Sequence, residues 1–421
     1  MSRVHFNHNS TRLASSSLRT PIRILFVDDE QRLLDGLRRS LRGQRKVWDM
    51  HFINGGGEAL SLLGQERFDV VVSDLSMPGV DGFKVLEYVK EHQPDCIRII
   101  LSGNADVASV VRTIGPSHQF LSKPCTGEQL EEVVNRAMGL RRLLADSRLK
   151  QLVGGVENLP TLPKIYEELC DIMQSDQVDL RRVGELVGQD VALTSKVLKL
   201  VNSAFFGMRR RIYDPAEAAS VLGLETLQSL VLASHTFDRL GTMLEHFDVE
   251  AVWGHCLRVG TMTRAIGQHE GLPHEQVEGC YLAGLMHDTG RLVMARALLA
   301  SYDRVCAVVG DGRKLAEIEK KAFGADHGEV GAYLLGLWGC SDFIVEGIAF
   351  HHQPSGVVRE GFSSALAVHF ADAMDRKISY GTPLNDSLEV DFLKDQGHLK
   401  QIAPWQDVCG RCLDQLEQEC E

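Results

Sequence analysis

Short apolar runs that each stop at a polar or acidic residue constrain this chain most. Ile22–Val27 stops at Asp28-Asp29, Phe68–Ser73 at Asp74, and Ile97–Leu101 at Ser102. A fourth, Gln119–Ser122, stops at Lys123-Pro124. Helix-like stretches separate them. Buried runs alternating with helices predict a parallel sheet covered on both faces. The carboxyl ends of such strands meet along one edge, where open α/β sheets place their sites. Asp28, Asp29, Asp74, Ser102 and Lys123 are therefore expected in one crevice.

Three crowded carboxylates repel one another and need a cation or a raised pKa. Hard oxygen ligands suit Mg²⁺, which also accepts phosphoryl oxygens. An ionised Asp74 could then act as a nucleophile toward phosphorus. Lys123 would neutralise a phosphoryl oxygen and Ser102 would donate a hydrogen bond to another. The ordered set Asp28-Asp29, Asp74-Leu-Ser-Met-Pro-Gly-Val-Asp-Gly82, Ser102 and Lys123-Pro124 resembles the receiver domain of two-component response regulators. The resemblance spans residues 21–125 and extends to about 140. It implies a five-stranded, doubly wound, flavodoxin-like fold and phosphotransfer from a sensor histidine kinase. It makes Asp74 the phospho-acceptor, with Asp28, Asp29, Asp74 and the Ser76 carbonyl serving Mg²⁺. Ser102 and Phe120 stand at the switch positions.

Beyond residue 125 the period changes. Leu130, Val133, Ala137, Leu140 and Leu144 recur at spacings of three and four, a short helical seam. Residues 126–151 are expected to form a signalling helix, one that pairs two chains as a homodimer or packs on a domain face. Residues 152–380 read as successive helices and residues 381–421 as an acidic C-terminal extension. Residues 1–20 are expected to be a disordered tail. The net charge of -12 argues against binding a phosphate backbone, so DNA is not an expected partner. No apolar run approaches the roughly 18 residues needed to span a bilayer. Ten cysteines without framework spacing fit a reducing compartment, and a cytoplasmic location is expected.

The helical half carries a second set of chemistry-bearing residues: His255, His287-Asp288, His327, His351-His352 and Asp372. Imidazoles with carboxylates suit a divalent transition metal. An adjacent His-Asp pair lets the carboxylate bridge two metals, an arrangement suited to phosphoester cleavage. The order resembles the HD superfamily of metal-dependent phosphohydrolases. Leu159–Pro163, Gln189–Thr194, Lys199–Gly207 with Asn202-Ser203-Ala204, Ala218–Gly223, Ala283–Gly290 and Glu329–Leu335 resemble the HDOD domain more closely. That resemblance implies an all-α, HD-type fold that signals without established catalysis. Gln353-Pro-Ser-Gly follows His351-His352 where the cyclic-di-GMP phosphodiesterase branch has Gly-Tyr-Pro, and Arg291 stands where that branch has Lys. The expected function is a phosphorelay regulator whose output domain engages an unknown downstream signalling protein. The alternative is a receiver-controlled, metal-dependent phosphohydrolase using the seven HD-type residues.

Overall fold

A computed structural model describes residues 21–103, 116–156, 165, 168–169, 172–173, 178–202, 208, 210–233, 244–309, 314–357 and 361–420. The expected tail at 1–20, the Leu159–Pro163 motif and Ser203-Ala204 lie outside these residues.

Five parallel strands form one sheet in the order β2-β1-β3-β4-β5. They are β1 Ile22–Asp28, β2 Trp48–Asn54, β3 Val70–Asp74, β4 Ile97–Ser102 and β5 Gln119–Ser122. Burial on both faces explains why the central strands are mostly apolar at successive positions, with Arg23 and Arg98 as the charged exceptions before the strand ends. Ile24, Phe26, Val70, Val72, Ile97 and Ile99 serve one face, and Leu25, Val27, Val71 and Ile100 the other. The second face is covered by helices α2, Gly56–Leu63, and α3, Gly82–His92. The first is covered by α1, Gln31–Ser40, and α4, Gly127–Leu140. The register pairs Asp74 with Leu101 and Ser102 with Ser122, so the carboxyl ends of the strands line up.

The signalling helix expected over 126–151 is two helices. A Thr126–Gln129 capping box starts α4, and Asp146 caps a second helix, α5, Ser147–Gly154. The seam is buried inside the chain: Leu130, Val134, Ala137, Leu140 and Leu144 belong to one core that runs from the sheet into the helical half. Val134 takes the buried place expected of Val133, which is half-buried. Of the two packings expected for this seam, the structure shows the one on a domain face, where the apolar stripe is covered from within the chain.

The helical half comprises α6 Leu180–Val187, α7 Val191–Val201, α8 Pro215–Ala233, α9 Val249–His269, α10 His274–Met286, α11 Thr289–Leu298, α12 Ala300–Val309, α13 Leu315–Phe323, α14 His327–Leu337, α15 Asp342–Ala349 and α16 Ser364–Tyr380. The C-terminal extension is no loose tail. Helix Ile402–Cys420 lies on α9, with Trp405 fully buried and its Nε1 donating to Glu270 at 2.8 Å. No helix among the described residues is long and apolar enough to cross a membrane.

The halves are fastened together at several points. Arg98, buried in β4, donates to the Gly154 carbonyl at the end of α5, at 2.7 Å. Lys199 of α7 donates to the Ser117 carbonyl at 2.6 Å. Leu140 of α4 rests on α14 at Gly336, where a Cβ would come within 2.6 Å of its Cδ1.

Candidate functional site

The first site is the crevice at the strand ends. Asp28 ends β1 and Asp74 ends β3, both buried, while Asp29 is exposed one residue beyond β1. One oxygen of each can approach the others within 4.8 Å, an acidic cluster typical of a Mg²⁺ site. Lys123 Nζ reaches Asp28 Oδ2 at 2.7 Å and Asp74 Oδ1 at 3.0 Å. Burial raises the Asp74 carboxyl above its ordinary value; Lys123 opposes this and Asp28 adds to it. Burial lowers Lys123, but its bonds to Asp28 and Asp74 outweigh that and raise it. Asp81 caps α3 through the Lys84 amide at 3.0 Å, and Gly82 allows that helix to start against the Asp74 carbonyl. Ser102 is half-buried at the end of β4, and its carbonyl accepts from Lys123 N at 2.8 Å. Phe120 lies on β5 opposite Ile100. Ser76 is exposed, two residues past β3.

The second site brings together all seven residues that the sequence singled out, and helix ends supply most of them. His287 and Asp288 occupy the junction of α10 and α11. His327 opens α14, fixed by the Asp326–Glu329 capping box. His351 and His352 follow α15, while His255 and Asp372 project from within α9 and α16. His255 Nε2 lies 3.1 Å from His287 Nε2 and 3.3 Å from Asp372 Oδ1. His352 Nε2 lies 2.8 Å from His327 Nε2. Asp288 stands between the groups, its Oδ1 3.1 Å from His327 Nε2 and 3.5 Å from His287 Nε2. Two separate three-residue groups result, His255–His287–Asp372 and His327–His351–His352, and a third, His287–Asp288–His351, overlaps both.

The outer partners set the tautomers. His287 Nδ1 donates to the Gly284 carbonyl and His351 Nδ1 to the Ile348 carbonyl, each at 2.7 Å. Their Nε2 atoms therefore face inward as lone pairs, and His351 Nε2 is buried without a hydrogen-bond partner. His255 Nδ1 donates to Asp375 at 2.7 Å and His327 Nδ1 to Glu319 at 2.6 Å. Such anchoring is the usual support of metal-ligating histidines. An orphaned, inward-facing imidazole nitrogen beside carboxylate oxygens fits a divalent metal.

The charges divide sharply. Burial opposes charge on His255 and His327, but Asp372 and Asp375 raise the first to about 9, and Glu319 and Asp288 raise the second to about 10. Burial lowers His287, and drives His351 and His352 well below the ordinary histidine value. Burial would raise Asp288, yet His287 and Arg291 hold it well down; Arg376 and His255 do the same for Asp372. Arg291 pairs with Asp288 at 2.8 Å, Arg376 grips both oxygens of Asp372, and Arg258 both oxygens of Asp375.

Arg291 was noted in the sequence only for standing where the phosphodiesterase branch has Lys, and the other outer residues were not singled out. Asp375 and Arg376 follow Asp372 by three and four positions, Arg258 follows His255 by three, and Arg291 follows Asp288 by three. Helical spacing alone could have flagged them. Glu319 sits on a different helix from His327, so no local spacing points to it. Asn202 is a structural pin: its side chain donates to the Ile212 carbonyl at 2.7 Å and accepts from Ile212 N at 2.8 Å.

Comparison with known proteins agrees with this division. Residues 24–135 match the response regulator receiver domain and residues 159–354 match the HDOD domain. The chain is a response regulator with an HDOD domain. Among its relatives, an uncharacterized protein of Treponema pallidum is 28% identical over 232 residues, 54% of this chain and 44% of that protein. The hydrogenase transcriptional regulatory protein HoxA of Cupriavidus necator is 31% identical over 125 residues, 29% of this chain and 25% of that protein. The chain thus spans less than half the length of these curated relatives. The MmoQ response regulator of Methylococcus capsulatus, a solved structure, is 24% identical with a TM-score of 0.46, covering 59% of this chain and 98% of that one.

Proposed function

We propose that this response regulator takes a phosphoryl group on Asp74 and passes the change to its HDOD domain through β5 and α4. The carrying observation is the placement of Lys123 3.0 Å from Asp74, immediately after the strand that carries Phe120 and borders the helical half. Asp74 Oδ would attack the phosphorus of a phosphodonor as the donor's own bond to phosphorus breaks, releasing acetate when the donor is acetyl phosphate, while Lys123 and Ser102 hold phosphoryl oxygens. Mg²⁺, when bound by Asp28, Asp29 and Asp74 with the Ser76 carbonyl, offsets the crowded negative charge. The modified aspartate carries more negative charge and new acceptors, which would draw Ser102 and Lys123 inward and let Phe120 follow. The HDOD domain then exposes or hides a surface for a downstream protein. Labelling with acetyl phosphate tests the first step. Wild type should incorporate phosphate and Asp74→Ala should not; equal labelling of both would remove Asp74 as the acceptor.

A second reading is favoured by the orphaned His351 Nε2 and the anchored imidazoles around it. On that reading the HDOD domain holds one or two divalent transition metals on His255, His287, Asp288, His327, His351, His352 and Asp372. A bound metal would supply Lewis acidity for phosphoester cleavage. Burial of most of the donors, and the arginines already on both carboxylates, favour a closed regulatory centre over an open catalytic one. Elemental analysis of purified protein should find metal that the His287→Ala/Asp288→Ala variant lacks. Near-zero metal in both would end this reading.

A further inference from the structure

Between the receiver and the HDOD domain lies a cavity of about 250 Å³. Gln119, Phe120 and Leu121 of β5 form one wall, and α7, the segment at 211–213 and the turn after α14 form the other. Its described lining holds two cations, Lys199 and Arg211, and no carboxylate. Three aromatic rings, Phe120, Tyr213 and Trp338, face it as well, and Lys199 Nζ sits 5.4 Å from the Trp338 ring centroid. Gln119 Nε2 is buried there without a hydrogen-bond partner. A buried amide donor requires an acceptor, a net positive lining selects an anion, and aromatic walls select a flat ring. The volume lies just below the usual range for ligand pockets of about 300–1,000 Å³, too small for a dinucleotide.

We propose that this cavity binds a small anion bearing a planar ring, of the class of a nucleoside monophosphate. Such a ligand would bridge β5 to α7 and so fasten the receiver to the HDOD domain. Because Phe120 is one of its walls, occupancy and the state of Asp74 are coupled. That coupling rests on Phe120 acting as the receiver's switch; binding itself rests on the lining alone. The seven-residue histidine and aspartate cluster is not part of this lining.

Calorimetric titration of the full chain with AMP and with GMP tests the site. At least one should bind with a Kd below about 1 mM, and adenosine or inorganic phosphate alone should bind at least tenfold more weakly. Gln119→Leu and Lys199→Gln should each weaken binding at least tenfold, while His287→Ala/Asp288→Ala should not. Lys199 also pins Ser117, so if Lys199→Gln does not fold, Gln119→Leu decides. No binding of either nucleotide, or undiminished binding in the folded cavity variants, overturns the site. Beryllofluoride should then shift nucleotide affinity at least fivefold in wild type and leave Asp74→Ala unshifted. Binding without that shift keeps the site and overturns the coupling.

Discussion

Arg136 Nε donates to Asp342 Oδ1 at 2.7 Å, joining the last receiver helix to α15 across 206 positions of sequence. The same guanidinium reaches the Cys340 carbonyl. Asp342 is half-exposed, so water weakens the ion pair. The buried part of this junction is Leu140 against Gly336. Gly336→Val should therefore cost about 1–3 kcal/mol through overpacking, and Arg136→Ala no more than about 1 kcal/mol. Chemical denaturation measures both. A larger loss from Arg136→Ala would mean that charge, not packing, holds the domains together.

Asp74 titrates above the ordinary carboxylate value because it is buried, with Lys123 pulling the other way and Asp28 adding repulsion. A carboxyl raised on folding favours the fold when protonated. Its contribution is present at low pH and fades as pH rises through the folded value. Near pH 7 the ionised Asp74 is thus a burden that Mg²⁺ relieves. Without Mg²⁺, Asp74→Asn should be at least as stable as wild type. Added Mg²⁺ should raise the Tm of wild type and leave the variant nearly unchanged. Thermal melts that show the variant gaining as much as wild type would contradict this account.

Glu319 accepts from His327 Nδ1 at 2.6 Å and from the Tyr302 hydroxyl at 2.6 Å. It orients the imidazole and strengthens it as a donor. If the histidine centre holds metal, Glu319→Gln should weaken Zn²⁺ or Mn²⁺ binding about 10- to 100-fold without emptying the site. A competitive chelator titration gives the ratio. An unchanged affinity would reduce Glu319 to a packing residue.

His118 is held well below the ordinary histidine value by burial, with Arg98 and Lys199 adding repulsion. Arg98 N donates to its Nδ1 at 3.0 Å, so the folded state keeps it neutral. The unfolded chain takes up that proton near pH 6.5. Stability from this group is present above that pH and is lost as pH falls below it, by up to about 1.4 kcal/mol per pH unit. The stability gap between wild type and His118→Asn should narrow from pH 7.5 to pH 5. A gap that stays constant across this range would acquit His118.

The receiver was legible because β1, β3 and β4 are buried on both faces and end on chemistry, while the half-buried edge strand β5 is marked by the Lys123-Pro124 that follows it. β2 was the exception. Trp48–Asn54 is an edge strand of mostly half-buried residues that carries Asp49 and His51, so no compact apolar run marks it. The break between α4 and α5 was missed because Leu144 keeps the helical period while lying outside either helix. In the histidine centre, the seven residues stood out by their order, and Arg291 by its place after His287-Asp288. Glu319, Asp375, Arg258 and Arg376 were not read, since partners of a ligand need only reach it in space.

Local order in this chain determined the strands, the acidic crevice and the identity of the histidine set. Those depend on periods of two and 3.6 residues and on which residues end an element. Tertiary structure decided that the seam on α4 is covered from within, that Trp405 docks the C-terminal helix, and that Lys199 meets the receiver at Ser117. These contacts join residues far apart in the chain, and their energy comes from excluding water between surfaces whose shapes no local pattern encodes.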